Sequence, residues 1–113
     1  MIANREVTAW SWYRLGEYWI GEPDFYTQQP PDQDTVLNFA SEIARTAKAP
    51  NGYTIDIGTS TTGTPLLIEA NAAWSSNPYD ADITGVYTSL VAAHDFDGTQ
   101  SEWRFNSIQL HRS

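Results

Sequence analysis

The sequence predicts an α+β domain in which an antiparallel sheet of about four to five strands is covered by two helices. Three observations predict it. Residues 36–47 and 83–94 place their apolar side chains at helical spacing. Between them, "YTIDIG" and "PLLIEAN" alternate at strand spacing on either side of a short polar loop, as the arms of a hairpin do. The chain has 113 residues, which fits a single domain spanning 1–113. A domain of that size can bury roughly two-thirds of its unfolded surface and needs no staple.

The elements follow in order. Glu6 to Tyr13, "EVTAWSWY", alternates loosely and is rich in β-formers, so it reads as a strand. "RLGE" makes a turn and "YWIG" a short return strand. "EPDFYTQQPPD" carries three prolines and is a loop, with Asp32 or Asp34 placed to cap the helix after it. Val36, Phe39, Ala40, Ile43, Ala44 and Ala47 give that helix one buried face, and Pro50, Asn51 and Gly52 stop it. Tyr53, Ile55 and Ile57 share one face of the next strand, while Thr54 and Asp56 take the other. On the return strand, Leu66, Ile68 and Ala70 form the matching apolar face. Asp82 is a good N-cap for a second helix whose apolar face runs Ile83, Val86, Tyr87, Leu90, Val91 and His94. "DFDGTQ" breaks that helix, and "SEWRFNSIQL" reads as a last strand with a kink at Asn106. The order is β-β-α-β-β-α-β, with both helices on one face of the sheet.

Charge narrows the function. Fourteen acidic residues stand against six basic ones, for a net charge of -8, and Lys48 is the one lysine. Nucleic-acid binding through phosphates needs a basic stripe, which this chain lacks. A basic protein partner, a cation between carboxylates, or solubility alone would each suit the acidity. There is no cysteine, which removes disulfides and thiolate metal sites. No run of about 18 apolar residues spans a membrane, and "MIANREV" lacks the apolar segment of a signal peptide. A cytoplasmic protein is expected. The tryptophans Trp10, Trp12, Trp19, Trp74 and Trp103 are core by default, but an exposed cluster among the first three would mark a binding surface. His94 reads as a helix-end donor, His111 has no assigned role, and "GTSTTGT" lacks the lysine of a P-loop.

The residues that point to chemistry lie in the hairpin. Glu69 and Asn71 are two apart on a strand, so they share a face about 7 Å apart. Matching the apolar faces of the two strands sets Ile57 opposite Ile68, and therefore Asp56 opposite Glu69. Like charges directly opposed destabilise a sheet. Two arrangements relieve this: a solvated polar face with the carboxylates slipped one register step apart, or a divalent cation held by Asp56, Glu69 and Asn71, all hard oxygen ligands suited to Mg²⁺.

The stretch "YTIDIGTSTTGTPLLIEANAAWSSNPYDADITGVYTSLVAA" resembles the C-terminal part of small ATP-grasp-domain proteins of bacteria and phages. The resemblance rests on Asp56 and Gly58, Gly63, the Glu69-x-Asn71 pair, Trp74, Tyr79 and Tyr87, and covers roughly residues 5 to 93, with "VTAWSWYR" upstream. It implies an ATP-grasp C-terminal-lobe-like fold in which Asp56, Glu69 and Asn71 hold the magnesium ions that bridge ATP phosphates. Such enzymes make an acyl phosphate from a carboxylate, which an amine or other nucleophile then attacks. The chain departs from the pattern in two ways. It starts at the equivalent of a hairpin turn without the N-terminal lobe whose lysines hold the phosphates, and Ala72 stands where an acidic residue is frequent. Lys48 is a poor substitute, more simply a charge late in a helix.

Two functions follow from the resemblance. One is a truncated ATP-grasp domain that supplies an Asp/Glu/Asn magnesium–nucleotide half-site of a carboxylate–amine ligase and needs a second lobe. In that case Mg²⁺ and ATP bind weakly or not at all to the isolated chain. The other is a non-catalytic acidic protein-binding module, a phage-type inhibitor or adaptor reusing the fold. Both call for another protein chain, the missing lobe or a host target. The tail adds one expectation. Related proteins carry a strand reading Glu-Trp-Arg before the one that "VTAWSWYR" resembles, and "SEWRF" occurs here at 101–105. If the tail filled that place as a circular permutation would, it would cover the open edge of residues 6–13. Arg104 would then be the cofactor-binding residue, bringing one positive charge towards Asp56 and Glu69, or would pair with them and abolish metal binding. A chance tripeptide in an edge strand is the plainer alternative.

Overall fold

In a computed structural model of the chain, which describes residues 1–94, the sheet begins earlier than the sequence pattern suggests. Strand β1 (Ile2–Ala3) turns back on β2 (Glu6–Val7), with Ile2 opposite Val7 and Ala3 opposite Glu6. Asn4 and Arg5 make the two-residue turn, at φ of 50° and 69°. That conformation matches the twist of a hairpin, and asparagine tolerates it better than most residues. The strand expected over residues 6–13 is therefore reduced to Glu6–Val7. Beyond it, Thr8 to Tyr13 leave the ladder to run along one wall of a cleft. Strands β3 (Arg14–Leu15) and β4 (Tyr18–Trp19) form a separate small hairpin around Gly16, which sits at φ 61°.

Helix α1 (Gln33–Thr46) starts at Asp32, whose carboxylate accepts the Thr35 backbone N–H (3.3 Å) and hydroxyl (2.6 Å). This settles the choice between Asp32 and Asp34 and satisfies donors that a helix start leaves open. Strands β5 (Gly52–Thr59) and β6 (Pro65–Ala72) form the long hairpin, and the main sheet runs β2-β1-β5-β6, all antiparallel. Helix α2 (Ile83–His94) is capped by Asp82, which accepts the Gly85 N–H at 3.1 Å. The α+β class stands: a four-stranded antiparallel sheet with two helices. The expected strand over 101–110, with Arg104, and His111 lie outside the described residues.

The helices cover opposite faces, not one. Ile2, Ile43, Ala44, Ala47, Tyr53 and Leu67 form the core under α1. Gly52 is adjacent to Tyr53 on the strand and so points the other way, and a Cβ there would run into the Ser89 carbonyl and the Ala93 backbone of α2. Only glycine allows α2 to approach so closely. Apolar periodicity reports that a helix has a buried face, but not which side of a sheet that face meets.

The long hairpin keeps the expected register at one end. Tyr53 pairs with Ala72, Thr54 with Asn71, Ile55 with Ala70 and Asp56 with Glu69. Then a bulge at Ile68 shifts the ladder, so Ile57 meets Leu67 rather than Ile68, and Gly58 meets Leu66. An extra residue in one strand flips every side chain beyond it. Leu67 consequently enters the core at 2% exposure, while Leu66 and Ile68, expected there, are 42% and 56% exposed. Ile68 lies against Gly58, where the carbons of its side chain would meet an added Cβ at 3.1 Å.

The bulge makes a direct prediction. Leu67→Ala should cost about 2–5 kcal/mol of unfolding free energy, the range for truncating a buried leucine. Ile68→Ala should cost under about 1 kcal/mol. Urea denaturation of both variants distinguishes this register from the regular one, which predicts the reverse order.

Candidate functional site

The β5 face that turns away from α1 carries Thr54 and Asp56. Across the ladder on β6 stand Asn71 and Glu69. The structure thus brings together the three hairpin residues singled out in the sequence. Asp56 is half-buried, Glu69 is exposed, and the Asn71 side-chain amide donates to Glu69 Oε1 at 3.1 Å. Burial pushes the Asp56 carboxyl up to about 6, reinforced by its hydrogen bond to Glu69 and by the Glu69 charge, with the Met1 amino group opposing. Two carboxylates at one cross-strand position share the difficulty by letting one keep its proton near neutral pH. Among the described residues, no three His, Cys, Asp or Glu side chains gather as a metal cluster. The donor set is two carboxylates and an amide, all oxygen ligands of the hard kind that Mg²⁺ accepts, so the residues fit that ion in chemistry though they form no closed cage.

These residues floor a cleft of about 780 Å³, within the size range of small-molecule sites. Its walls come from the stretch that leaves the ladder after β2. Trp10 and Trp12 meet edge to face at 5.3 Å, and Tyr13 stacks between Tyr79 (5.1 Å) and Trp19 (5.9 Å). The Arg14 guanidinium lies 5.1 Å from the Trp19 ring centre, a cation–π contact. Tyr13 is close enough to the floor to sense it: burial first, then the Asp56, Tyr79 and Glu69 charges raise its phenol pKa, against a smaller lowering by Arg14. Tyr13 therefore stays protonated at neutral pH.

The tryptophans are not core. Trp10, Trp19 and Trp74 are exposed and Trp12 is half-buried, and Trp103 lies outside the described residues. Stacking on one another and lining the cleft replaces burial for the first three. Lys48 follows the α1 C-cap and His94 ends α2, both exposed and neither lining the cleft. Arg14, by contrast, does line it. Sequence reasoning missed Arg14, whose one signal is its place directly after the aromatic run. Thr54 carries no sequence signal beyond its position on the polar face.

The chain matches an ATP-grasp domain family, the third family of its clade, over residues 2–90. This match takes in the whole four-stranded sheet, both sides of the cleft and most of α2, and the chain belongs to that family. No curated protein and no solved structure matches it.

The carboxylate pair has a pH signature. Asp56 has its folded pKa raised from 3.8 to about 6, so its ionised form is penalised by folding above pH 6. That penalty fades as pH falls from 6 to about 4, where the folded protein takes up a proton the unfolded chain does not yet bind. Asp56→Asn should therefore stabilise the metal-free protein at pH 7.5, by about 1 kcal/mol once solvent screening of a half-exposed group is allowed for. The gain should vanish near pH 4. Denaturant melts of both proteins at the two pH values test this.

Proposed function

We propose that the chain is the C-terminal lobe of a small ATP-grasp protein of the bacterial or phage type, working in the cytoplasm. Its role is to supply the magnesium–nucleotide half-site of a carboxylate–amine ligase whose other lobe is a second polypeptide. The observation that carries this reading is Asp56 directly opposed to Glu69, with Asn71 bound to Glu69, on the floor of a cleft large enough for a nucleotide. Asp56, Glu69 and Asn71 would hold the metal. Bound there with ATP, magnesium would neutralise phosphate oxygens, which is the main requirement of phosphoryl transfer. The aromatic wall from Trp10 to Tyr13 shields one side of the cleft from water. Arg14 is the one arginine or lysine among the described residues lining it, so the partner lobe is expected to bring the cations that grip the phosphates.

A second reading has its own support. Trp74, Ile83, Tyr87 and Val91 are exposed, Ile83 by 81% and Tyr87 by 68%. Ile83, Tyr87 and Val91 recur every four residues along α2, and an apolar stripe on an acidic protein suits a partner surface. On this reading the fold serves as a protein-binding module without catalysis.

The isolated chain should turn over no ATP and bind it weakly or not at all, while binding Mg²⁺ in the millimolar range expected for a few oxygen ligands without a cage. Calorimetry with Mg²⁺ and with Mg²⁺-ATP tests this, using Glu69→Ala as control. Loss of Mg²⁺ binding in Glu69→Ala supports the half-site. Equal binding in both proteins favours the module. ATP turnover by the chain alone that disappears in Glu69→Ala would overturn the need for a second lobe.

A further inference from the structure

Thr54 has a buried hydroxyl with nothing to do. The residue is 9% exposed, lines the cleft, and its Oγ1 has no hydrogen-bond partner among the described residues. A buried hydroxyl left unpaired costs about 1–3 kcal/mol, so its retention calls for a partner that arrives in another state. Its nearest polar neighbour across the sheet is Asn71, its direct ladder partner. Residues opposed in this way have Cβ atoms about 4.5–5.5 Å apart on the same face.

The amide of Asn71 is turned the wrong way for a metal ligand. Its Nδ2 donates to Glu69 Oε1, so the group presented to the carboxylates is N–H, which repels a cation. A cation between Asp56 and Glu69 needs Oδ1 there instead. Rotating the amide to deliver Oδ1 carries Nδ2 away from Glu69 and leaves its N–H groups seeking an acceptor. The threonine hydroxyl is both donor and acceptor, and Thr54 Oγ1 is the unused acceptor on the adjacent ladder position.

We propose that Thr54 is a positioning residue for a divalent cation: its hydroxyl accepts the Asn71 side-chain N–H when Asn71 turns its oxygen from the metal-free contact with Glu69 to the ion. The amide then has two settings. Without metal, Asn71 Nδ2 shields the Glu69 charge and Thr54 is unpaired. With metal, Oδ1 is a ligand and Thr54 fixes the amide, as partners behind a ligand commonly orient it. The Thr54 hydroxyl therefore favours only the loaded state, and removing it should weaken cation binding without weakening the fold.

This inference rests on the half-site reading, and the experiment separates the two. Mg²⁺ alone is titrated into ¹⁵N-labelled chain, following the Asn71 side-chain amide and the apparent affinity, for wild type, Thr54→Val, Thr54→Ser and Glu69→Gln. Thr54→Val is isosteric and should melt at or above the wild-type temperature, because it removes an unpaired buried hydroxyl. Its Mg²⁺ affinity should fall about fivefold to tenfold, the worth of one hydrogen bond, and its Asn71 amide shifts should differ from wild type only when Mg²⁺ is present. Thr54→Ser should restore both. If Glu69→Gln loses Mg²⁺ but Thr54→Val binds it as wild type does, the role of Thr54 is refuted and the half-site stands. If wild type takes up no Mg²⁺ at tens of millimolar, or Glu69→Gln binds it unchanged, the half-site reading falls and Thr54 with it.

Discussion

The opposition of Asp56 and Glu69 across β5 and β6 is the constraint around which the rest of this domain is arranged. A sheet gains nothing from two carboxylates at one ladder position. Here the conflict is held in place by features on both sides of it. The regular register over Tyr53–Asp56 fixes the pair, and the bulge at Ile68 begins immediately beyond. Had the register slipped by one residue earlier, Glu69 would have faced the core and Asp56 would have had no charged neighbour. Bulges are enriched beside functional sites because they re-aim side chains where a regular ladder cannot. This one returns Leu67 to the core while keeping Glu69 beside Asp56.

The same strand has two unlike faces, and they organise the two halves of the molecule. One face, through Tyr53 and Ile55, packs under α1 with Ile2, Ile43 and Leu67. The other starts at Gly52, where α2 crowds the backbone, and continues through Thr54 and Asp56 into open space. Helix α2 covers only the beginning of that face. It is fastened to the first segment by the hydrogen bond between the Ser89 and Thr8 hydroxyls and by the contact of Gly85 with the Thr8 carbonyl. The segment so fastened is the one that leaves the ladder and becomes the aromatic wall. Core packing, helix placement and cleft formation are therefore linked through a few small residues.

Electrostatics sets what the cleft can hold. Its floor is acidic, its wall is aromatic, and Arg14 supplies positive charge at the rim. No helix among the described residues is long and apolar enough to cross a membrane. A polyphosphate approaching this floor without metal would meet like charge, so a divalent cation and further basic groups are both needed before a nucleotide can settle there. The exposed stripe on α2 lies on another part of the surface from the acidic floor, which is how one domain can serve a ligand and a partner at once.

Much of this was legible in the sequence because it depends on local rules. Helical spacing located α1 and α2, and aspartates at 32 and 82 marked their starts, since an N-cap is chemistry of one residue against the next three. Alternation over 53–57 and the need to match apolar faces placed Asp56 opposite Glu69, because side-chain parity in a strand is fixed by geometry. What required the tertiary structure was everything without a local signal. A bulge leaves parity intact on each side and shifts it between, so the pattern alone assigned Leu66 and Ile68 to the core instead of Leu67. The side of the sheet taken by α2 depends on a glycine that no helix pattern includes. The tryptophans left the core because they found each other across turns distant in the chain, and the idle hydroxyl of Thr54 became visible only once its neighbours were all in place. Periodicity records which side chains avoid water; only the packed structure decides what they meet instead.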